Sequence, residues 1–135
     1  MTKPRVFLSF DSDDLPQIRG LRLLASNPNY DLEFYDESLK EPIDSQRAEY
    51  IKQVIREKIK RASITLCLVG NNTYKSKWVD WELRESEKQG NAIIAMALKG
   101  IERVVPPSFL KEGNITIWKW DPQYLQTLIN NASKR

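Results

Sequence analysis

Short, almost uninterrupted apolar runs recur along the chain and constrain its fold more than any other feature. Three are clear, at residues 6–10, 64–69 and 92–98, and two shorter ones lie at residues 32–35 and 115–118. Runs of this length are typical of strands that are covered on both faces, as in a parallel sheet. We therefore predict five buried strands.

Amphipathic helices are predicted between these strands. The clearest has five apolar residues on one face: Ala48, Ile51, Ile55, Ile59 and Ala62. Others are expected after residues 11–14, from about residue 78 to residue 89 with Gly90 at the end, and from Asp121 and Pro122 onwards. Strands that alternate with helices imply a three-layer α/β sandwich around a five-stranded parallel sheet, with strand order 2-1-3-4-5, in one domain spanning residues 1–135.

The expected strand order also predicts where a ligand binds. In an open α/β sheet, ligands bind outside the carboxyl ends of the strands, where the strand order reverses. Here that point lies between strands 1 and 3. It selects the loops at residues 11–14 and 70–77, together with the helix starts that follow them.

Composition limits the chemistry available at such a site. The chain has no histidine, which excludes histidine general bases, Ser-His-Asp triads and histidine-ligated metals. Its one cysteine, Cys67, excludes an internal disulfide and a zinc–thiolate cluster, and we interpret it as a buried core residue. We expect no metal site. A net charge of +3 is too small to indicate a nucleic-acid partner.

The sequence also predicts the compartment. No segment approaches the roughly 18 apolar residues that a membrane span needs. The first residues lack the pattern of a signal peptide. We therefore expect a cytoplasmic protein that has no membrane partner.

Familiar nucleotide-binding motifs are missing. The five glycines form neither a Gly-x-Gly-x-x-Gly loop nor a Walker A loop. The third strand ends in Val69-Gly70-Asn71, without the aspartate of a receiver domain. The acidic turn at residues 11–14 would repel a flavin phosphate.

One segment stays a candidate for chemistry, the start of the third helix, Ser76-Lys77-Trp78-Val79-Asp80-Trp81-Glu82-Leu83. Trp78 and Glu82 are four residues apart and share a helix face, so we expect a partly buried carboxylate at the border between core and crevice. Such a carboxylate can hydrogen bond to ribose hydroxyls and stabilise an oxocarbenium-like centre, as cleavage of a glycosidic bond requires. The plainer interpretation is a packed tryptophan with a solvated carboxylate, and spacing alone leaves both open.

Two segments resemble motifs of the Toll/interleukin-1 receptor (TIR) domain family, and more closely of the bacterial TIR-like proteins of Thoeris antiphage systems. Val6-Phe7-Leu8-Ser9-Phe10, followed by Asp11, resembles the first box of the family, a strand that reads roughly F-I-S-Y/F. The helix start resembles the S-x-W-C-x-x-E-L motif, with Val79 in place of the cysteine. The order of strands and helices matches along nearly the whole chain, so the resemblance implies the flavodoxin-like TIR fold.

The resemblance implies an enzyme that cleaves NAD+ as its substrate and has no bound cofactor. Nicotinamide is released, and ADP-ribose or a cyclised ADP-ribose forms as a messenger in antiphage signalling. The catalytic glutamate of TIR enzymes corresponds to Glu82. The implied substrate-binding residues are Phe10, Asp11, Ser12, Asp36, Ser76 and Trp78.

The implied partners are further copies or other TIR domains on activation, and a separate effector protein that senses the product. The loop at residues 36–42 lacks the arginine and glycine of the R-D-x-x-P-G pattern found in eukaryotic members. Self-assembly through this loop therefore stays an open question.

Two alternative functions stay open. A TIR-like module that only assembles with other TIR domains would use Glu82 as a charge near a helix start. A nucleoside deoxyribosyltransferase-like enzyme shares the fold and also uses a carboxylate on an N-glycosidic bond.

Overall fold

The computed structural model describes residues 4–24, 31–33 and 41–133. In this part of the chain, strands form one parallel sheet: β1 (Arg5–Phe10), β2 (Asp31–Glu33), β3 (Ile64–Val69), β4 (Ala92–Ala97) and β5 (Ile117–Trp118). Their order is β2-β1-β3-β4-β5, and every neighbouring pair is parallel. The predicted α/β class and strand order are confirmed. Residues 34 and 35 of the predicted second strand lie outside the described residues.

Helices connect and cover these strands: α1 (Leu15–Leu24), α2 (Ala48–Arg61), α3 (Lys77–Lys88), α4 (Ser108–Glu112) and α5 (Pro122–Ser133). Short 3-10 turns, Ser12–Asp14 and Thr73–Lys75, precede α1 and α3. Gly90 follows the last turn of α3 with a φ of 84°, a conformation that favours glycine after a helix, as predicted.

Helix α4 is the element that the sequence does not predict. No helix is predicted around Pro106 and Pro107, but a five-residue helix begins immediately after them. This helix buries Phe109 and Leu110 against the sheet layer. Five residues give little more than one turn, which is too short for an apolar repeat to be recognised.

The two faces of the sheet carry different layers, because successive side chains of a strand point to opposite sides. Val6, Leu8 and Phe10 of β1 pack with residues of α1 and α5. Phe7, on the other face, packs against the apolar stripe of α2 that the sequence predicts, and Trp78 and Trp81 of α3 lie against the same cluster. The result is the predicted sandwich of two helical layers around a sheet.

The apolar stripe of helix α2 determines which of its faces packs against the sheet. Ile51, Ile55 and Ile59 are at most 1% exposed, although the helix is otherwise rich in charge. Burying each such side chain contributes about 1.5–3 kcal/mol, so one apolar face is enough to fix this helix on the sheet. None of the described helices is both long and apolar enough to cross a membrane.

Candidate active site

The carboxylate of Glu82 is enclosed by protein. Glu82 on α3 is 1% exposed, and Ser9 on β1 is fully buried. The Ser9 hydroxyl donates a hydrogen bond of 2.7 Å to Oε1 of Glu82. Burial of a charged group is tolerated only where donors replace lost hydration, so this hydrogen bond helps a carboxylate to exist at this position.

The position of Glu82 follows from the start of α3. The Ser76 hydroxyl accepts a hydrogen bond of 3.1 Å from the backbone N–H of Val79 and caps the helix, as Ser does at many helix starts. From this start, four buried residues face the sheet layer: Val79, Glu82, Leu83 and Ser86. The expectation of a partly buried Glu82 at the border of the core is wrong in degree, because α3 is rotated so that Glu82 lies on the same buried face as Val79 and Ser86.

A pair of buried hydroxyls, on Thr65 and Ser86, fixes the next turn of α3. Thr65 on β3 donates a hydrogen bond of 2.7 Å to Oγ of Ser86, and Ser86 donates one of 2.7 Å to the main-chain carbonyl of Glu82. The side-chain amide of Asn91 donates to Thr65 at 3.3 Å. Helix α3 is therefore tied to β1 through a carboxylate and to β3 through hydroxyls.

Cys67 lies beside Ser9 across the β1–β3 pair. Its thiol is fully buried, and both this burial and the negative charge of Glu82 raise its pKa far above the usual range. The thiol is therefore neutral, as expected for a core residue and not for a nucleophile. The prediction that Cys67 is a core residue is confirmed.

Trp78 joins α3 to the segment that precedes α2. Its indole N–H donates a hydrogen bond of 2.7 Å to the main-chain carbonyl of Glu41. Its ring meets that of Trp81 edge-on, with 5.9 Å between the centroids. The indole is half-buried against the Phe7 cluster, so it is positioned as a wall between α3 and α2 and not as a free surface ring.

Trp81 is a residue that the sequence analysis does not select. Its ring lies 5.4 Å from the guanidinium carbon of Arg56 and 5.8 Å from the Lys52 ammonium group, both on α2. Arg56 also pairs with Glu85 at 3.3 Å. Two cations of α2 thus lie close to one aromatic ring, an arrangement that cation–π attraction favours.

The predicted substrate-binding residues at the end of β1, Phe10, Asp11 and Ser12, lie in two different environments. Asp11 follows β1, and its carboxylate accepts a hydrogen bond of 3.3 Å from the backbone N–H of Asp13; burial raises the pKa of Asp11 above its usual value. Ser12 is exposed. Phe10 is 1% exposed and faces the layer of α1 and α5, on the side of the sheet away from Phe7. Because the Phe10 side chain lies in the core, only its backbone could contact a substrate.

The loops at residues 11–14 and 70–77 meet, as the strand order predicts. Asn72 donates a hydrogen bond of 2.8 Å to Oδ2 of Asp13. Asp14 lies against Gly70, where a β-carbon would collide with its carboxylate. Burial, with the charges of Asp11 and Asp13, raises the pKa of Asp14 from 3.8 to about 6. The sequence predicts that Asp14 lies in a loop that meets residues 70–77, but it does not predict that the Asp14 carboxylate is partly buried there with a raised pKa.

Ser9 is a second residue that the sequence analysis quotes but does not assign to the site. The available signal was a single hydroxyl in an otherwise apolar run. Asp36, a predicted substrate-binding residue, lies outside the described residues. Within the described residues, no group of three or more His, Cys, Asp or Glu side chains could hold a metal ion.

A cleft of about 300 Å³ lies elsewhere, at the edge of the sheet between β4, β5 and α5. Its lining includes Ile94, Trp118, Leu128 and Asn131, and none of the described candidate site residues contributes to it. The cleft is therefore separate from the carboxyl ends of β1 and β3.

Comparisons with known proteins agree with this geometry at the level of family and fold. The family model described as "Thoeris protein ThsB, TIR-like domain" matches residues 7–103. No curated protein matches the chain. Both Ser9 and Glu82 lie within the matched residues.

Several solved structures share the fold. A 2-deoxyribosyltransferase from Bacillus psychrosaccharolyticus is 16% identical and has a TM-score of 0.65, covering 90% of each chain. The CMP N-glycosidase BcmB of Clostridium botulinum is 18% identical with a TM-score of 0.56, covering 92% of this chain and 96% of its own. The TIR domain of the Toll-related receptor TRR-2 from Hydra magnipapillata is 16% identical with a TM-score of 0.59, covering 93% and 91%.

Proposed function

The chain belongs to the family of the TIR-like domain of Thoeris protein ThsB, and from this premise we propose that it cleaves the N-glycosidic bond of NAD+. The reaction releases nicotinamide and forms ADP-ribose or a cyclised form as a second messenger. The observation that carries the proposal is the buried Glu82 carboxylate, held by Ser9 at 2.7 Å. An enclosed carboxylate is suited to stabilising positive charge, because a low local dielectric strengthens the attraction.

The proposed chemistry needs no histidine. The bond between ribose C1′ and the nicotinamide nitrogen breaks, and its electron pair stays on the nicotinamide, which leaves as a neutral molecule. Positive charge develops at C1′ and the ring oxygen, where the carboxylate of Glu82 stabilises it. Water attacks C1′ in hydrolysis and loses a proton, whereas a nucleophilic group of the ADP-ribose part attacks in cyclisation.

Other residues have supporting roles in this proposal. The Trp78 ring forms a wall on the α2 side, while Ser76 acts through its cap, which fixes the start of α3. Asp11 and Ser12 lie at the carboxyl end of β1, where the backbone approaches the nucleotide. NAD+ is the substrate, and no bound cofactor is proposed.

The proposed context is antiphage signalling in the cytoplasm. Self-association, or association with other TIR domains, activates the enzyme, and a separate effector protein senses the product. This context rests on the family and not on a contact within the described residues.

Deoxyribosyl transfer is the second candidate function. Two of the similar structures are, by their names, a 2-deoxyribosyltransferase and an N-glycosidase, and the former has a TM-score of 0.65. A carboxylate buried over the sheet also suits this chemistry. The two functions differ in the group that accepts the sugar. In NAD+ cleavage the acceptor is water or another part of the same nucleotide, whereas in deoxyribosyl transfer it is a second base.

The test uses the purified chain, from dilute to concentrated, with NAD+ in one series and with a deoxynucleoside plus a free base in another. Mass spectrometry follows nicotinamide, ADP-ribose isomers and exchanged deoxynucleosides. Glu82→Gln is the matched variant, since it removes the charge but keeps an oxygen that accepts from Ser9. We expect nicotinamide release by the native chain and a loss of at least about 100-fold in the variant.

Two outcomes would contradict this proposal. If the native chain releases no nicotinamide at any concentration, the enzyme proposal fails and a purely assembling TIR module is favoured. If Glu82→Gln is as fast as the native chain, Glu82 is not the catalytic residue. Base exchange in the second series would instead support deoxyribosyl transfer.

A further inference from the structure

The hydroxyl of Ser9 holds the Glu82 carboxylate from the sheet side. We propose that Ser9 is a positioning residue, which fixes the orientation of the Glu82 carboxylate for attack on the N-glycosidic bond. This inference rests on the proposed function and deepens it, since it assigns a role to a residue outside the candidate site derived from the sequence.

Rigid surroundings make Ser9 suitable for this role. It lies on β1, the strand that pairs with both β2 and β3, and it is aligned with Cys67 of β3. Both residues are fully buried, and the backbone at Ser9 is held by its pairing with β3. Glutamate has three side-chain torsions, and the hydrogen bond of 2.7 Å from Ser9 limits rotation of the Glu82 carboxylate.

Orientation matters because stabilisation of a transition state depends on placement. A carboxylate that rotates away from C1′ loses most of its attraction for the developing charge. Substrate binding relies on other contacts along the nucleotide. Loss of the Ser9 hydroxyl should therefore lower kcat and leave KM nearly unchanged.

Ser86 provides a matched control. It is also fully buried, and its hydroxyl also makes a 2.7 Å hydrogen bond to Glu82, but to the main-chain carbonyl instead of the carboxylate. Ser86→Ala therefore removes a buried serine hydroxyl from the same layer without releasing the Glu82 side chain. A purely structural role for Ser9 predicts similar behaviour for both alanine variants.

The experiment measures kcat and KM for NAD+ in Ser9→Ala and Ser86→Ala, with unfolding temperatures recorded for each. We expect kcat to fall about 10- to 100-fold in Ser9→Ala, as for loss of a hydrogen bond to a charged group, with KM within about twofold of the native value. In Ser86→Ala, kcat should stay within about threefold of the native value. Equal kcat in the two variants overturns the positioning role.

A second pair of variants removes the effect of packing. Threonine and valine have nearly the same shape, and only threonine carries a hydroxyl, so the ratio of kcat between Ser9→Thr and Ser9→Val isolates the hydrogen bond even if Ser9→Ala does not fold. We expect Ser9→Thr to be at least about tenfold faster. Equal rates overturn the inference while leaving the NAD+ proposal intact, whereas an inactive native chain overturns both.

Discussion

The hydroxyl of Ser9 lies 2.7 Å from Oε1 of Glu82, although 73 residues separate them in the chain. The two residues belong to the two segments that resemble TIR motifs, one at the first strand and one at the start of a helix. Parallel pairing of β1 with β3 brings them together, because α3 follows β3 and packs back over the sheet. The candidate catalytic carboxylate thus accepts a hydrogen bond from a residue on a central strand.

Asp14 should make stability depend on pH. Its pKa is raised from 3.8 to about 6 in the folded chain, so the folded state holds a proton that the unfolded state releases. Stability therefore falls as pH rises from about 4 to about 6, and the cost of the charge is fully present above that. Asp14→Asn removes this cost, and we expect a higher unfolding temperature than native at pH 7–8 but no gain at pH 4.

The control for this effect is Asp44→Asn, which also removes one negative charge. Asp44 is exposed in the turn before α2, so its replacement relieves no buried carboxylate and should not raise the unfolding temperature at pH 7–8. The measurement is the unfolding temperature of the three proteins between pH 4 and pH 8. A gain for Asp14→Asn that is the same at every pH would show that its charge is not responsible.

Trp78 should hold the segment before α2 in place. Trp78→Phe keeps an aromatic side chain, although a smaller one, and removes the donor to the Glu41 carbonyl; the loss of one partly buried hydrogen bond costs about 1 kcal/mol. We expect faster amide hydrogen exchange in the turn that this segment forms, at the N–H of Ser45, which bonds to Pro42. Trp81→Phe, which leaves the bond to Glu41 in place, should not change exchange at Ser45. Equal acceleration in both variants would argue against an anchoring role for the indole N–H.

Arg56 should stabilise the contact between α2 and α3. Arg56→Met keeps the apolar stem but loses both the stacking over Trp81 and the pair with Glu85. These partly exposed interactions together contribute about 1 kcal/mol, which corresponds to a fall of roughly 3–5 °C in unfolding temperature. Lys60→Met on the exposed side of the same helix is the control and should change stability by less than about 0.5 kcal/mol. A similar loss in both variants would show that the charge alone, and not the Trp81 contact, matters.

Much of the fold could be predicted because its signals are local. A buried strand reveals itself in a run of apolar residues, and the stripe of α2 appears in its own sequence. The meeting of residues 11–14 with residues 70–77 follows from strand order alone, and the hydrogen bond between Asp13 and Asn72 confirms it. Helix α4 carries no such local signal, since it is only five residues long.

The finer features of the site depend on packing between elements. Ser9 and Phe7 share a face by alternation, but which helix covers that face depends on the topology. The burial of Glu82 and the stacking of Trp81 depend on how α3 is rotated against β1 and α2, which spacing along one helix does not determine. Asp14 acquires its raised pKa only when folding buries its carboxylate against Gly70 and near the charges of Asp11 and Asp13.

A side chain at Gly70 should displace Asp14, because the Asp14 carboxylate occupies the space that a β-carbon would take. A β-carbon at Gly70 would collide with the Asp14 carboxylate, while its backbone φ lies outside the region that favours glycine. We therefore expect Gly70→Ala to cost about 1–3 kcal/mol through crowding and not through backbone strain. In an Asp14→Ala background the same change should cost far less, because the carboxylate is gone. Chemical denaturation of the four proteins completes this double-mutant cycle, and an equal cost in both backgrounds would refute the crowding explanation.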